Sequence, residues 1–236
     1  MQIDSTVALV TGASRGIGRS LVASLIARGA RRVYAAARDP GSLAAIDRER
    51  IVPLALDVTD PAQVAAAAER AADANLVINN AGILSSFSVL ASPLADLERD
   101  MATNYFGTLA VSRATVPALE RTRGTLVNLL TIVSFAPMPA LGGYSASKAA
   151  AFSLTQSLRG ELRPRGIRVV GVYPGPVDTD MARGFDMAKA SPDAVAQAII
   201  EGLERGDEDI LPDAFARDVY AEWTQAPKGV ERRFAG

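Results

Sequence analysis

The stretch Val7-Ala-Leu-Val-Thr11-Gly-Ala-Ser-Arg-Gly-Ile-Gly18 decides the architecture. A short apolar segment without polar alternation reads as a strand buried on both faces. It runs directly into glycines at 12, 16 and 18, and a helix-forming run follows. Glycine permits the tight turn and lets an anion approach the backbone. The N-terminus of the following helix adds unpaired N–H groups and the positive end of its dipole. Gly12, Ser14, Arg15, Gly16, Ile17 and Gly18 are therefore candidate phosphate-cradling residues, because the loop lies between a strand and a helix.

The same alternation continues outward from this stretch. Ser20–Arg28 reads as a helix closed by Gly29, and Arg32–Ala37 as a second strand. Leu43–Arg48 reads as a short helix and Val52–Leu56 as a third strand, ending at Asp57. Thr59 or Asp60 can cap a helix that starts at Pro61 and reaches about Ala74. Leu76–Asn79, Thr125–Leu130, Arg168–Tyr173 and Asp209–Leu211 are further strands. One or two helices are expected between Pro93 and Arg121, one from Tyr144 to about Pro164, and one over Pro192–Arg205. Doubly apolar strands alternating with helices predict an α/β fold. This is a single doubly wound Rossmann-like domain over 1–236, with a parallel sheet of about seven strands and helices on both faces. Gly12, Asp57, Asn80, Thr131 and Pro174 fall at carboxyl ends of strands, where such sheets bind ligands.

Composition narrows the chemistry. The net charge of −1 and 49% apolar content describe a globular chain with no basic patch for nucleic acid and no run long enough to cross a membrane. An early strand with no leader-like segment before it leads to the expectation of a cytoplasmic protein. Without cysteine or histidine, thiolate, His-triad and ordinary zinc chemistry are excluded, and no metal site is expected. Acid–base work then falls to tyrosine, lysine or carboxylates. Lysine occurs only at 148, 189 and 228, and Lys148 lies four residues after Tyr144 in Tyr144-Ser-Ala-Ser-Lys148. One helical turn brings their Cβ atoms to roughly 6 Å. An ammonium so placed favours the phenolate and predicts a tyrosine titrating nearer neutrality.

Several separated motifs in order resemble the short-chain dehydrogenase/reductase family from Thr11 to about Thr179. They are the glycine loop 11–18, Asp57-Val58, Asn79-Asn-Ala-Gly82, Asn104, Tyr144-x-x-x-Lys148 and Pro174-Gly175. The resemblance implies an NADP(H)- or NAD(H)-dependent oxidoreductase. Residues 11–104 would mainly serve the cofactor, 124–190 catalysis and substrate, and 207–236 would form a C-terminal extension. It implies that Asp57 meets the adenine amino group with Val58 beside the ring, although Asp57 can equally cap its own turn. Asn80, Ala81 and Gly82 would shape the adenosine floor. Pro174, Gly175, Val177 and Thr179 would line the nicotinamide. Asn104 would hold a water in a proton relay, and Tyr144 would be the acid/base with its pKa lowered by Lys148. Thirteen residues before Tyr144, where the family has serine, stands Thr131. Its hydroxyl is assigned to the substrate oxygen, with Ser134 as the alternative. Threonine's methyl stiffens χ1 and narrows the site.

Charge argues cofactor choice. The second strand ends Ala35-Ala-Ala-Arg38-Asp39, with Ala37 where an acid would meet a ribose 2′-hydroxyl. Arg38 and Arg15 favour a 2′-phosphate, hence NADP(H), whereas Asp39 is the contrary feature. The expected substrate is a small apolar ketone, aldehyde or secondary alcohol bounded by Ile83, Leu84, Phe87, Phe135, Met138, Leu141, Met181 and Phe185. The alternatives are a 3-oxoacyl-thioester or hydroxysteroid-type reductase and, in a different class, an NADP(H)-binding regulatory protein without turnover. The tail lacks the strand and Asp-Gly-Gly ending of the oxoacyl reductases. The expectation is therefore a homodimer through the 100–121 and 144–163 helices, with a tetramer as alternative and the tail free to cover a pocket.

Overall fold

The strands are β1 (Val7–Thr11), β2 (Arg32–Ala37), β3 (Ile51–Ala55), β4 (Leu76–Asn79), β5 (Thr125–Leu129), β6 (Arg168–Val172) and β7 (Asp209–Ile210). In the computed structural model, which describes residues 1–43 and 49–236, they form one parallel sheet in the order β3-β2-β1-β4-β5-β6-β7. Strands β1, β4 and β5 are buried throughout, as central strands covered on both faces must be. Pro53 cannot donate to a ladder and sits, exposed, in edge strand β3.

The helices are α1 (Gly16–Ala27), α2 (Pro61–Arg70), α3 (Leu94–Met101), α4 (Thr108–Thr122), α5 (Gly142–Leu162), α6 (Pro192–Arg205), α7 (Ala214–Gln225) and α8 (Pro227–Ala235). Alternate strand residues face opposite sides. Ala8, Val10, Ile78 and Val127 pack with Leu21, Leu25 and Ile199 of α1 and α6. Val7, Leu9, Val77 and Leu126 pack with Val64, Leu119 and Leu158 of α2, α4 and α5. Asp60 caps α2, accepting from the Ala62 and Gln63 N–H groups at 2.9 and 3.2 Å. No helix among the described residues is long and apolar enough to cross a membrane.

Some boundaries differ from expectation. Helix α1 begins at Gly16, inside the glycine motif rather than at Ser20. Helix α2 stops at Arg70 because Ala72 N and Ala74 N turn back to Glu69 O and Ala71 O. The 93–121 region becomes α3 and α4 joined by a π-helical turn at Ala102–Gly107, which local sequence patterns do not encode. The short helix read over Leu43–Arg48 lies outside the described residues except for Leu43, which ends a 3-10 turn begun at Pro40. Helix α8 was not expected; it packs Val230 and Phe234 with α7 against Ile132, Val133 and Ala136.

Candidate active site

Strand order reverses between β1 and β4, and a cleft of about 710 Å³ opens there at the carboxyl ends of the strands. Its floor is cross-tied. Asn80 Nδ2 donates to Thr11 O at 2.9 Å and Gly12 O at 3.1 Å, while the Asn80 and Ala81 N–H groups donate to Thr11 Oγ1, each at 3.0 Å. Below it, Asn79 Nδ2 donates to Ser112 Oγ and Asn128 Oδ1, and Asn128 Nδ2 to Thr155 Oγ1, joining β4 and β5 to the helices beneath. A Cβ on Gly18 would lie 2.2 Å from Gly12 O, so only glycine lets the helix meet the loop this closely. Gly12 and Gly16 have φ of +64° and +51°, the left-handed region glycine occupies without cost.

These features fit the phosphates of a dinucleotide. No side chain caps α1 and its first turn carries no acidic residue, so its leading N–H groups are available to an anion beside Gly12–Gly18. Ala37, Arg38, Asp57, Val58 and Thr59 continue the cleft on one side. Asp57 Oδ1 accepts from the Thr59 N–H at 2.9 Å and hydroxyl at 2.7 Å, so it does cap its turn, and these bonds hold its carboxyl below the usual range. Arg15 reaches across the cleft to Asp180 at 3.6 Å.

At the other end of the cleft stand Thr131, Tyr144 and Lys148. Thr131 Oγ1 accepts weakly from Val133 N at 3.4 Å and faces the cleft. Ser134 is buried with its hydroxyl unpaired and does not line the cleft, so the alternative hydroxyl is set aside. Lys148, 5% exposed, donates from Nζ to Leu129 O at 2.8 Å and lies 5.9 Å from the Tyr144 ring centroid. Asn104 is buried behind the cleft. Its Oδ1 accepts from Ile83 N at 3.0 Å, and its Nδ2 donates to Ile83 O and Ser147 Oγ, both at 2.9 Å. Its side chain therefore clips the Gly82–Ile83 segment to α5, a fixing role the sequence did not suggest.

One expectation is reversed. Burial first, and the negative charge of Asp100 second, hold the Tyr144 phenol above its ordinary pKa. Burial pulls Lys148 down to about 8, against the opposing effect of Asp100. Lys148 is not among the groups that set this direction; its own ammonium is destabilised by burial and donates to Leu129 O. Part of the Tyr144 surface remains exposed, and the residue lines the cleft.

The substrate wall also needs correction. Ile83, Leu84, Met138, Leu141, Met181 and Phe185 line the cleft, as expected. Phe135 does not: it stacks on Tyr173 and Trp223 at centroid distances of 4.7 and 4.8 Å, in an aromatic cluster behind the site. Phe87 is 52% exposed and lies outside the cleft. Met187 and Arg99 line it without having been anticipated; a lone methionine in a loop and an arginine on a polar helix carry no distinguishing signal. Pro174, Gly175, Val177 and Thr179 all line the cleft. Beyond them the 178–189 loop is pinched at its base by the Val177–Ala190 bridge. No residue of 207–236 lines the cleft; Asp213 instead accepts from Gly175 N at 2.8 Å and caps α7. The tail supports the site from behind rather than covering it.

Comparison with known proteins identifies relatives of the whole chain. Residues 6–190 match the short chain dehydrogenase family model. A 3-alpha-(or 20-beta)-hydroxysteroid dehydrogenase of Mycobacterium tuberculosis is 39% identical over 184 residues, 74% of this chain and 70% of that protein. The 3-oxoacyl-(acyl-carrier-protein) reductase FabG of Escherichia coli is 32% identical over 192 residues, 78% of this chain and 79% of its own. A short chain dehydrogenase of Burkholderia cenocepacia, solved in complex with NADP, superposes with a TM-score of 0.95 at 38% identity, covering 100% of both chains.

Proposed function

The chain belongs to the short-chain dehydrogenase/reductase family, and from that membership we propose that it is an NADP(H)-dependent reductase of apolar ketones or aldehydes, acting as one catalytic domain. The observation that carries the reading is the convergence of Thr131, Tyr144 and Lys148 at one end of a cleft whose other end is a glycine cradle.

Gly12–Gly18 and the N-terminus of α1 would hold the pyrophosphate, Asp57 and Val58 the adenine, and Lys148 with Pro174–Thr179 the nicotinamide end. Bound there, the dinucleotide supplies the hydride. Thr131 and Tyr144 present hydroxyls to the carbonyl oxygen and stabilise the charge that develops on it. A phenol held in its acid form carries its proton at neutral pH, so Tyr144 delivers it to that oxygen. Asn104 keeps Gly82–Ile83 against α5 beside Lys148, where the proton is restored from solvent. Arg38 and Arg15, with Ala37 rather than an acid at the strand end, support NADP(H) over NAD(H). The NADP complex of the Burkholderia relative supports the same choice. The groove between α4 and α5, where Leu109 lies among Arg113, Ser153, Ser157, Glu161 and Arg165, is the surface proposed for a homodimer.

A second reading, a hydroxysteroid-type reductase, is favoured by the mycobacterial relative and by the size and apolar walls of the cleft. Loss of NADPH absorbance with a panel of aliphatic, aromatic, steroidal and 3-oxoacyl-thioester carbonyls tests both readings. Turnover of simple ketones supports the first, and turnover confined to steroids the second. NADPH binding with no turnover on any panel member would favour a regulatory protein instead.

A further inference from the structure

Asp100 is a buried carboxylate that the proposed reaction does not use. It lies on α3, is 0% exposed, and makes no salt bridge among the described residues. Taking a carboxylate out of water costs several kcal/mol unless donors replace the water. Here three do: Ser85 N at 2.8 Å, Ser86 N at 3.0 Å and Ser86 Oγ at 2.5 Å. All three belong to the segment following Gly82–Leu84.

That segment seats the start of the catalytic helix. Helix α5 opens with Gly142 and Gly143, and its N-cap, Leu141, provides no capping side chain. The turn is held from outside. A Cβ on Gly143 would lie 2.1 Å from Ser86 Oγ, and one on Gly142 2.8 Å from Val89 Cγ1. Gly143 N donates to Phe87 O at 3.5 Å. The residue after Gly143 is Tyr144. A continuous run of contacts therefore leads from Asp100 through Ser86 to the backbone that carries the tyrosine.

We infer that Asp100 is a positioning residue for Tyr144, fixing the first turn of α5 through Ser86 and placing a fixed negative charge behind the tyrosine–lysine pair. The inference rests on Tyr144 being the proton donor. The charged or titratable groups around the pair are few. On α5 Tyr144 and Lys148 face each other, and α3 supplies Asp100 and also Arg99, which lines the same cleft and pairs with Asp96. The π-helical turn presents Asn104, and the loop of Ile132, Val133 and Met138 is apolar. From the C-terminal side come Leu211, Trp223 and Phe234, with Asp213 engaged on Gly175 N and Ala216 N. Asp100 raises the pKa of both Tyr144 and Lys148, so removing its charge lowers both. Carbonyl reduction needs the proton on, so the alkaline limb of its rate moves to lower pH whichever group sets it.

The test uses the full-length protein, NADPH and the best ketone of the panel. Asp100→Asn is expected to lower kcat at least tenfold with little change in the NADPH dissociation constant, and to shift the alkaline limb acidward. The tyrosinate absorbance assigned to Tyr144, taken as the difference between each protein and its Tyr144→Phe counterpart, should appear at lower pH in Asp100→Asn. Ser86→Ala keeps the charge and loosens the turn, so it should lower kcat severalfold with the limb in place. An unchanged limb and tyrosinate signal in Asp100→Asn, even with kcat reduced, would overturn the inference and leave Asp100 a purely structural group. If Asp100→Asn does not fold, an unchanged kcat in Ser86→Ala overturns it. Retained turnover in Tyr144→Phe would instead remove the underlying assignment, which separates the two failures.

Discussion

The two walls of the cleft are built differently. On the floor, Thr11, Gly12 and Asn80 are hydrogen-bonded to one another, and Gly18, packed against them, has no room even for a methyl group. On the substrate wall, Met181 and Met187 are 43% and 40% exposed, and the 178–189 loop joins the sheet region through a bridge at its base and the Arg15–Asp180 pair. The floor is over-determined, as suits the phosphate-binding role proposed for it, which requires one backbone geometry. The wall is under-determined because apolar contact with a substrate needs only volume and surface. Under the proposed function, common chemistry would be fixed in the part that cannot change, and specificity would rest in the part that can.

Substitutions on either side should break that contrast unequally. Gly18→Ala attacks the floor at its tightest point. Forcing a Cβ against Gly12 O should lower stability by about 1–3 kcal/mol and abolish measurable NADPH binding, read by denaturant titration and fluorescence quenching. Arg38→Ala leaves the floor intact and removes one charged contact proposed for the 2′-phosphate. The NADPH dissociation constant should rise about 10–150-fold while that for NADH barely changes, since such a bond contributes about 1.5–3 kcal/mol.

Lys148 lies between the walls. Its folded pKa of about 8 is below the ordinary 10.5, so the unfolded chain binds more protons between those values. Stability therefore rises with pH across that window, by on the order of 3 kcal/mol, and the cost of burying the charge is fully present below it. Lys148→Met should flatten that part of the stability–pH curve, measured by urea unfolding. Met181→Ala should have the smallest effect. It should leave stability within about 0.5 kcal/mol of wild type and change kcat/KM for bulky against small ketones by about tenfold or less.

The same contrast explains what could be read from the chain alone. Strand positions were legible to within a residue, because doubly apolar runs such as Leu76–Asn79 and Arg168–Val172 have few other ways to be buried. The glycine cradle was legible because Gly12, Gly16 and Gly18 carry a backbone requirement in their identity. Asp100 was not: on a helix reading Leu-Ala-Asp-Leu-Glu-Arg-Asp-Met it resembles any solvated acid, and only tertiary packing buries it. Phe135 was misplaced because an aromatic near a catalytic loop can face the cleft or the core equally well, and its partners Tyr173 and Trp223 lie far away in sequence. The direction of the Tyr144 shift was missed for a related reason. Spacing on one helix reveals Lys148 but not the burial and the Asp100 charge supplied by other elements.

The central claim is that Tyr144 is the proton donor in a hydride transfer from NADPH. It is tested most directly by Tyr144→Phe, which removes one hydroxyl and keeps the ring in place. NADPH should bind the variant with a dissociation constant within about threefold of wild type, the phenol contributing no more than one neutral hydrogen bond to it. Turnover of the best ketone should fall by about 10²–10⁴-fold, the usual contribution of a general acid. Ketone reduction at a rate near wild type, with NADPH binding unchanged, would contradict the account.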